Sequence, residues 1–143
     1  MAKKANGARF LDLGLLIMRC GLGLMFVFHG WPKISGGAEL WGTIGAAVSN
    51  VGIHFGFVFF GFMAACAEFF GGVFLIVGSF TRPFCVLLTI TMAVASIMHL
   101  RQGDGVQVAS HAIEMGVVFF SLIFIGPGSY TVSSLTGKLE KKK

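Results

Sequence analysis

Charge is what this sequence has least of. Asp, Glu, Lys and Arg make up 12% of its 143 residues, while 55% are hydrophobic. A soluble domain carries about 25% charged residues, so a water-exposed globule is excluded and the chain reads as an integral membrane protein. The alternation of apolar and polar residues that marks a transmembrane barrel is also missing. Continuous runs of Phe, Leu, Val and Ile stand in its place. The first apolar run lacks a small-residue cleavage site, is too long for a signal peptide and carries Arg19 inside it, so it reads as a retained helix. The three cysteines, Cys20, Cys66 and Cys85, form no CxxC pair and lie at or near the apolar runs. They read as small buried hydrophobes, with a redox pair between Cys20 and Cys66 as the alternative. Walker, GxGxxG, CxxCH and HExxH spacings are absent, so nucleotide, haem and zinc-hydrolase chemistry have no local support. A haem held by His29 with His99 or His111 is permitted by count, but nothing local marks it.

Four apolar segments are present: Leu11–Gly30, Phe55–Gly78, Pro83–Leu100 and Val106–Gly126. About 20 apolar residues cross the ~30 Å of bilayer hydrocarbon. The expected fold is therefore an all-α membrane protein, a four-transmembrane-helix bundle. Residues 1–10 form a short N-terminus, residues 11–126 the transmembrane domain and residues 127–143 a polar, basic tail. The one long connection, Trp31–His54, carries Trp41, Ile44, Gly45, Val48 and Val51 at helical spacing, which predicts a short interfacial helix in the first outer loop. Thr81-Arg82-Pro83 reads as a helix start with Thr81 capping. The net charge of +5 is a topology signal rather than a nucleic-acid footprint. Lys3, Lys4, Arg9, Arg82, Lys138 and Lys141–Lys143 fall on one side of the membrane, and Lys33 and Arg101 on the other. The positive-inside rule then places both termini in the cytoplasm.

Two charges interrupt the apolar runs. Arg19 lies within the first and Glu68 within the second. A charge in hydrocarbon costs at least ~2.5–3.5 kcal/mol, so each needs a partner or a cavity. Ala64, Glu68 and Gly72 recur every four residues, a small-residue stripe that turns Glu68 toward other helices. At 1.5 Å per residue, Arg19 lies roughly 13 Å and Glu68 roughly 15 Å from the cytoplasmic ends of their segments. The expectation is that they meet near the midplane. They would do so as a structural ion pair or as a polar ligand site or proton relay. The remaining reading has Arg19 snorkelling toward Asp12 and Glu68 protonated. A second constellation collects at the outer ends: His29 and Lys33, His99 and Arg101, His111 and Glu114. Imidazole and carboxylate together suit a quinone head-group, a small polar ligand or, with no motif behind it, a transition metal. Ordinary interfacial side chains are the bland alternative.

These residues resemble the DoxX family of small four-helix membrane proteins. The matching pieces are Arg19-Cys-Gly-Leu-Gly-Leu-Met-Phe-Val-Phe-His-Gly-Trp-Pro-Lys33, then Glu68-Phe-Phe-Gly-Gly-Val-Phe-Leu-Ile-Val-Gly78 with Thr81-Arg82, then Glu114 followed by Gly126-Pro127-Gly128-Ser129-Tyr130. The resemblance covers roughly residues 10–130. Two positions depart from the family pattern: Ser133 and Ser134 stand where an aspartate often follows Gly-Pro-Gly, and His111 stands where asparagine often precedes the glutamate. The resemblance implies a cytoplasmic-membrane protein of a bacterium or archaeon. It also implies association with membrane oxidoreductases, either quinone-coupled sulfur oxidation or thiol and oxidative-stress systems. The leading expectation is an oxidoreductase subunit with quinone as cofactor, in which Arg19, Glu68, His29, Lys33, His99, His111 and Glu114 are candidate ligand-binding residues. Its partners would be the lipid bilayer and either further copies or other redox subunits. A non-enzymatic scaffold or assembly factor and a small transporter are the alternatives.

Overall fold

A computed structural model describes residues 2–132 and 134, with side chains from Gly7 onward. Helix α1 spans Ala2–Ser35, α2 Gly37–Gly45, α3 Phe57–Val77, α4 Thr81–Gln102 and α5 Val106–Ile125. A 3-10 turn, Ala46–Val51, follows α2. Four of the helices are long and apolar enough to cross a membrane. The expected four-helix membrane bundle is what the chain forms, and no strand occurs among the described residues. Ser133, Lys138 and Lys141–Lys143 lie outside the described residues.

Successive long helices run antiparallel, so the start of α1 and the segment after α5 share one end. The opposite end, carrying α2, is called distal below. Helix α1 packs on α3, α3 on α4 and α4 on α5, while α2 lies across α3. The close approach of α1 to α3 follows from glycine on both sides. A Cβ added to Gly23 would stand 2.6 Å from the Gly72 carbonyl oxygen, and one added to Gly72 would stand 2.6 Å from the Gly23 carbonyl oxygen. This is the small-residue stripe of α3 at work. Gly45 of α2 and Gly61 of α3 meet in the same way.

The core is apolar, as in a soluble protein, but so is most of the outer surface of the long helices. Leu75, Leu88, Phe119 and Leu122 form the centre of the core, but the largest fully buried side chain is Arg19. Phe28, Phe59, Phe120 and Phe124 point outward and are more than half exposed. A surface of this kind is stable only against lipid.

Two local expectations are corrected. Helix α1 does not stop at Gly30 but continues through Trp31 and Pro32 to Ser35, and at its other end it begins at Ala2 rather than near Leu11. Thr81 does not cap α4. The residue before the helix is Phe80, held in the left-handed region at φ 51°, and the Thr81 hydroxyl is buried without a partner among the described residues. The chain leaves α3 through Gly78, whose left-handed φ of 75° ends that helix. The three-residue connection, Gly78–Phe80, ends with Thr81 already in the first turn of α4.

Candidate functional site

Arg19 and Glu68 do not meet. The glycine contacts fix the register: Gly23 opposes Gly72 and Gly30 opposes Phe69. Glu68 is thus level with the region of Gly30, about eleven residues or ~16 Å along α1 from Arg19. The expectation failed because it measured both depths from aligned helix ends. The first part of α1 instead projects past the end of α3, and Asp12 there accepts a hydrogen bond from the Ser129 backbone N–H at 2.9 Å. The same register separates Cys20 from Cys66 by about twelve residues, roughly 18 Å, so they cannot form a pair. All three cysteines are free.

Arg19 is instead a helix-end clamp. Its Nη1 donates to the Leu75 carbonyl at 3.0 Å and its Nη2 to the Tyr130 carbonyl at 2.6 Å. Leu75 lies in the last turn of α3, where carbonyls lack in-helix donors and the helix dipole is negative. The guanidinium therefore finds its compensation in backbone dipoles rather than in a carboxylate. Gly78 makes the room, since a Cβ there would collide with Nη1. Nε has no partner among the described residues.

Glu68 pairs with Lys33. Lys33 Nζ donates to both carboxylate oxygens, at 2.7 and 2.6 Å. The Glu68 side chain is 5% exposed and that of Lys33 33%. The pair exists because α1 continues one turn past Gly30. The Trp41 indole holds that turn, donating from Nε1 to the Lys33 carbonyl at 2.8 Å beside the longer 3.3 Å bond that this carbonyl accepts from the Gly36 backbone N–H. Trp41 also packs against Phe62 of α3, with ring centroids 4.8 Å apart and planes tilted by 60°, so α2 braces the lysine against the helix that carries its partner. Sequence reasoning placed Trp41 in an interfacial helix and missed this role. The cue available was its spacing, eight residues after Lys33.

Lys33 and Glu68 stand at one side of a cleft of about 190 Å³ in the distal half of the bundle. His29, His99 and His111 line the same cleft, with Phe26 and Met92 among its apolar walls. The rings of His29 and His111 are 6.5 Å apart between centroids. His99 Nδ1 lies 2.8 Å from Oδ2 of Asp104, in the turn between α4 and α5. The expected convergence of the three histidines is thus present, but its carboxylate is Glu68. Glu114 is exposed and does not line the cleft. It follows His111 by three residues on α5 but is not among the side chains around the cleft. Arg101 is exposed at the end of α4 and also takes no part. No group of three or more His, Cys, Asp and Glu side chains among the described residues is placed to hold a metal ion. A larger open hollow of about 670 Å³, lined by Trp41, Gly56, Val58 and three phenylalanines, offers no titratable group.

One carboxylate, one ammonium and three imidazoles thus face a ring-sized space with apolar walls. Such a set can donate hydrogen bonds to carbonyl oxygens. Among known proteins, the profile of the DoxX family matches residues 14–100. The chain is 28% identical over 133 residues to the inner membrane protein YqjF of Escherichia coli (strain K12), covering 89% of this chain and 95% of that protein. No solved structure matches.

Proposed function

The chain belongs to the DoxX family of multi-pass cytoplasmic-membrane proteins, and from that premise we propose that it is the membrane subunit of an oxidoreductase system and binds a quinone head-group in the histidine cleft. The observation that carries this reading is the gathering of His29, His99, His111 and the Lys33–Glu68 pair around one cleft of about 190 Å³. That volume is below the ~300–1,000 Å³ of sites that enclose drug-sized ligands and suits a single substituted ring. The residues fit such a ring. His29 and His111 would donate to one carbonyl oxygen, and Lys33 or His99 to the other. Phe26 and Met92 would bound its apolar faces. A bound quinone would supply two-electron, two-proton redox chemistry, with electrons coming from a partner subunit. Glu68 and the imidazoles would hold and exchange the protons, and Asp104 would link His99 to the aqueous phase. Both termini lie in the cytoplasm in this reading, because Lys3, Lys4, Arg9 and Arg82 flank the proximal end. The cleft then opens on the outer half of the membrane.

The test is binding of a tailless dimethoxy-methyl-benzoquinone to the purified protein in nanodiscs, followed by quenching of tryptophan fluorescence. Saturable binding that weakens about tenfold in Glu68→Gln supports the reading. Absence of saturable binding in the unaltered protein overturns it. The scaffold reading draws on Arg19, whose buried contacts serve packing alone. It predicts that histidine substitutions leave every property of the protein unchanged.

A further inference from the structure

We infer that the ligand of the histidine cleft enters sideways from the membrane, through the seam between α1 and α5, and carries an apolar tail that stays in that seam. The inference rests on the quinone reading above. It names the substrate class as a membrane-dissolved, tailed quinone rather than a water-soluble one.

The bundle is not closed equally on all sides. Helix α1 packs on α3 and α5 packs on α4, but the backbones of α1 and α5 stay apart. They meet through side chains. Phe26 and Phe119 touch edge to face at 4.8 Å, and His29 and His111 face each other at 6.5 Å. Both phenylalanines are buried and form a floor, while both histidines are exposed above it. Met25 and Val108, one turn from these histidines, are each 52% exposed, and Glu114 is exposed one turn further along α5. The imidazole pair thus borders exposed apolar surface that lipid covers. By contrast, the cleft's polar groups toward the distal end are engaged in pairs, Lys33 with Glu68 and His99 with Asp104.

The seam continues below the histidines. Helical spacing places Met18 and Leu22 on the edge of α1 that carries His29, and Met115 and Val118 on the edge of α5 that carries His111. All four are half-buried and pack against the core. From His111 to Val118 this groove runs for about 10 Å. Methionine is unbranched and adaptable, so a groove with a methionine on each wall can part to admit an acyl or isoprenoid chain. The cleft itself, at about 190 Å³, holds a ring and no more. A tail attached to that ring has the seam as its continuous apolar exit.

The experiment uses the full chain in nanodiscs with two probes, a benzoquinone bearing a long isoprenoid tail and the same ring without a tail, with concentrations expressed per lipid for the tailed one. Met115→Trp fills the groove, and Met115→Leu is the conservative control. The expected result is a loss of at least tenfold in affinity for the tailed quinone in Met115→Trp, with tailless binding unchanged and Met115→Leu close to the unaltered protein. Equal effects on both probes, or no effect on either, overturn the seam. Failure of the unaltered protein to bind either probe overturns the quinone reading itself, so the two failures are distinct. If Met115→Trp does not fold, a tailed quinone with a photoreactive group on its first isoprene unit replaces it. Crosslinks to Met18, Leu22, Met115 or Val118 support the seam, and crosslinks confined to other helices overturn it.

Discussion

Replacing Lys33 by methionine isolates the energetics of the cleft. The substitution keeps the length of the side chain and removes its charge, leaving Glu68, whose side chain is 5% exposed, without its partner. A buried carboxylate that loses its ion-pair partner keeps its desolvation cost without compensation, and removing one partner of a buried pair costs about 3–5 kcal/mol. Glu68→Gln should cost less, about 1 kcal/mol, because Lys33 is 33% exposed and its ammonium can reach water. The double variant should be less destabilised than Lys33→Met alone, because the stranded charge is gone. Thermal unfolding in detergent, followed by intrinsic fluorescence, measures all three. Equal and additive losses in the two single variants would refute this account of the pair.

Arg19→Ala leaves the Leu75 and Tyr130 carbonyls without a donor. At ~1–3 kcal/mol for an unsatisfied buried group, the Leu75 carbonyl sets the loss, with less from the half-exposed Tyr130, before the relief of removing a buried charge, and it should appear as reduced yield of folded protein by size-exclusion chromatography. Arg19→Lys should rescue only part of it, since one ammonium cannot span two acceptors as the planar fork does. Gly72→Val places side-chain carbon against the Gly23 carbonyl and should cost about 1–3 kcal/mol by forcing α1 off α3, measured by thermal unfolding. Asp104→Asn, at a half-exposed pair, should change stability by less than about 1 kcal/mol in the same assay. A C-terminal green fluorescent protein fusion should fluoresce and a C-terminal alkaline phosphatase fusion should be inactive; the reverse pattern would invert the topology.

The four spans were legible because unbroken apolar runs have no other stable use in a chain this poor in charge. The extent of α1 was not. Residues 2–10 carry Lys3, Lys4 and Arg9 and look like a loop, while Trp31-Pro32 looks like an end. Yet polar residues form helix readily once a long apolar helix has nucleated it. Pro32 removes only one amide donor near the last turn. Both errors bear on the site. The turn past Gly30 carries Lys33, and the overhang before Leu11 shifts Arg19 away from Glu68. The glycines that set this register were visible, at 23 and 30 on one helix and 72 on the other, but which of them oppose one another is a tertiary fact. The histidines were legible as a level in the membrane. Glu114 was not excluded from them, because spacing fixes its face relative to His111 without fixing where α1 and α4 stand around α5.

The corrected pairing changes what each charge has to do. An Arg19–Glu68 pair would have neutralised both at the midplane and left the histidines as isolated interfacial groups. Arg19 instead draws on carbonyls that the ends of α3 and the post-α5 segment must satisfy in any case. It consumes no carboxylate. Glu68 is thereby left for Lys33, and the pair stands in the same cleft as His29, His99 and His111. On the proposed function, the structural task and the chemical one are divided between the two halves of the bundle. A substitution at Arg19 should affect folding without altering the affinity of the protein that does fold, whereas substitutions at His29 or His111 should do the opposite. Quinone titration of the folded fraction of Arg19→Lys distinguishes the two cases: an affinity within about twofold of the unaltered protein keeps the division, and a tenfold loss would show that the clamp and the cleft are one cooperative unit.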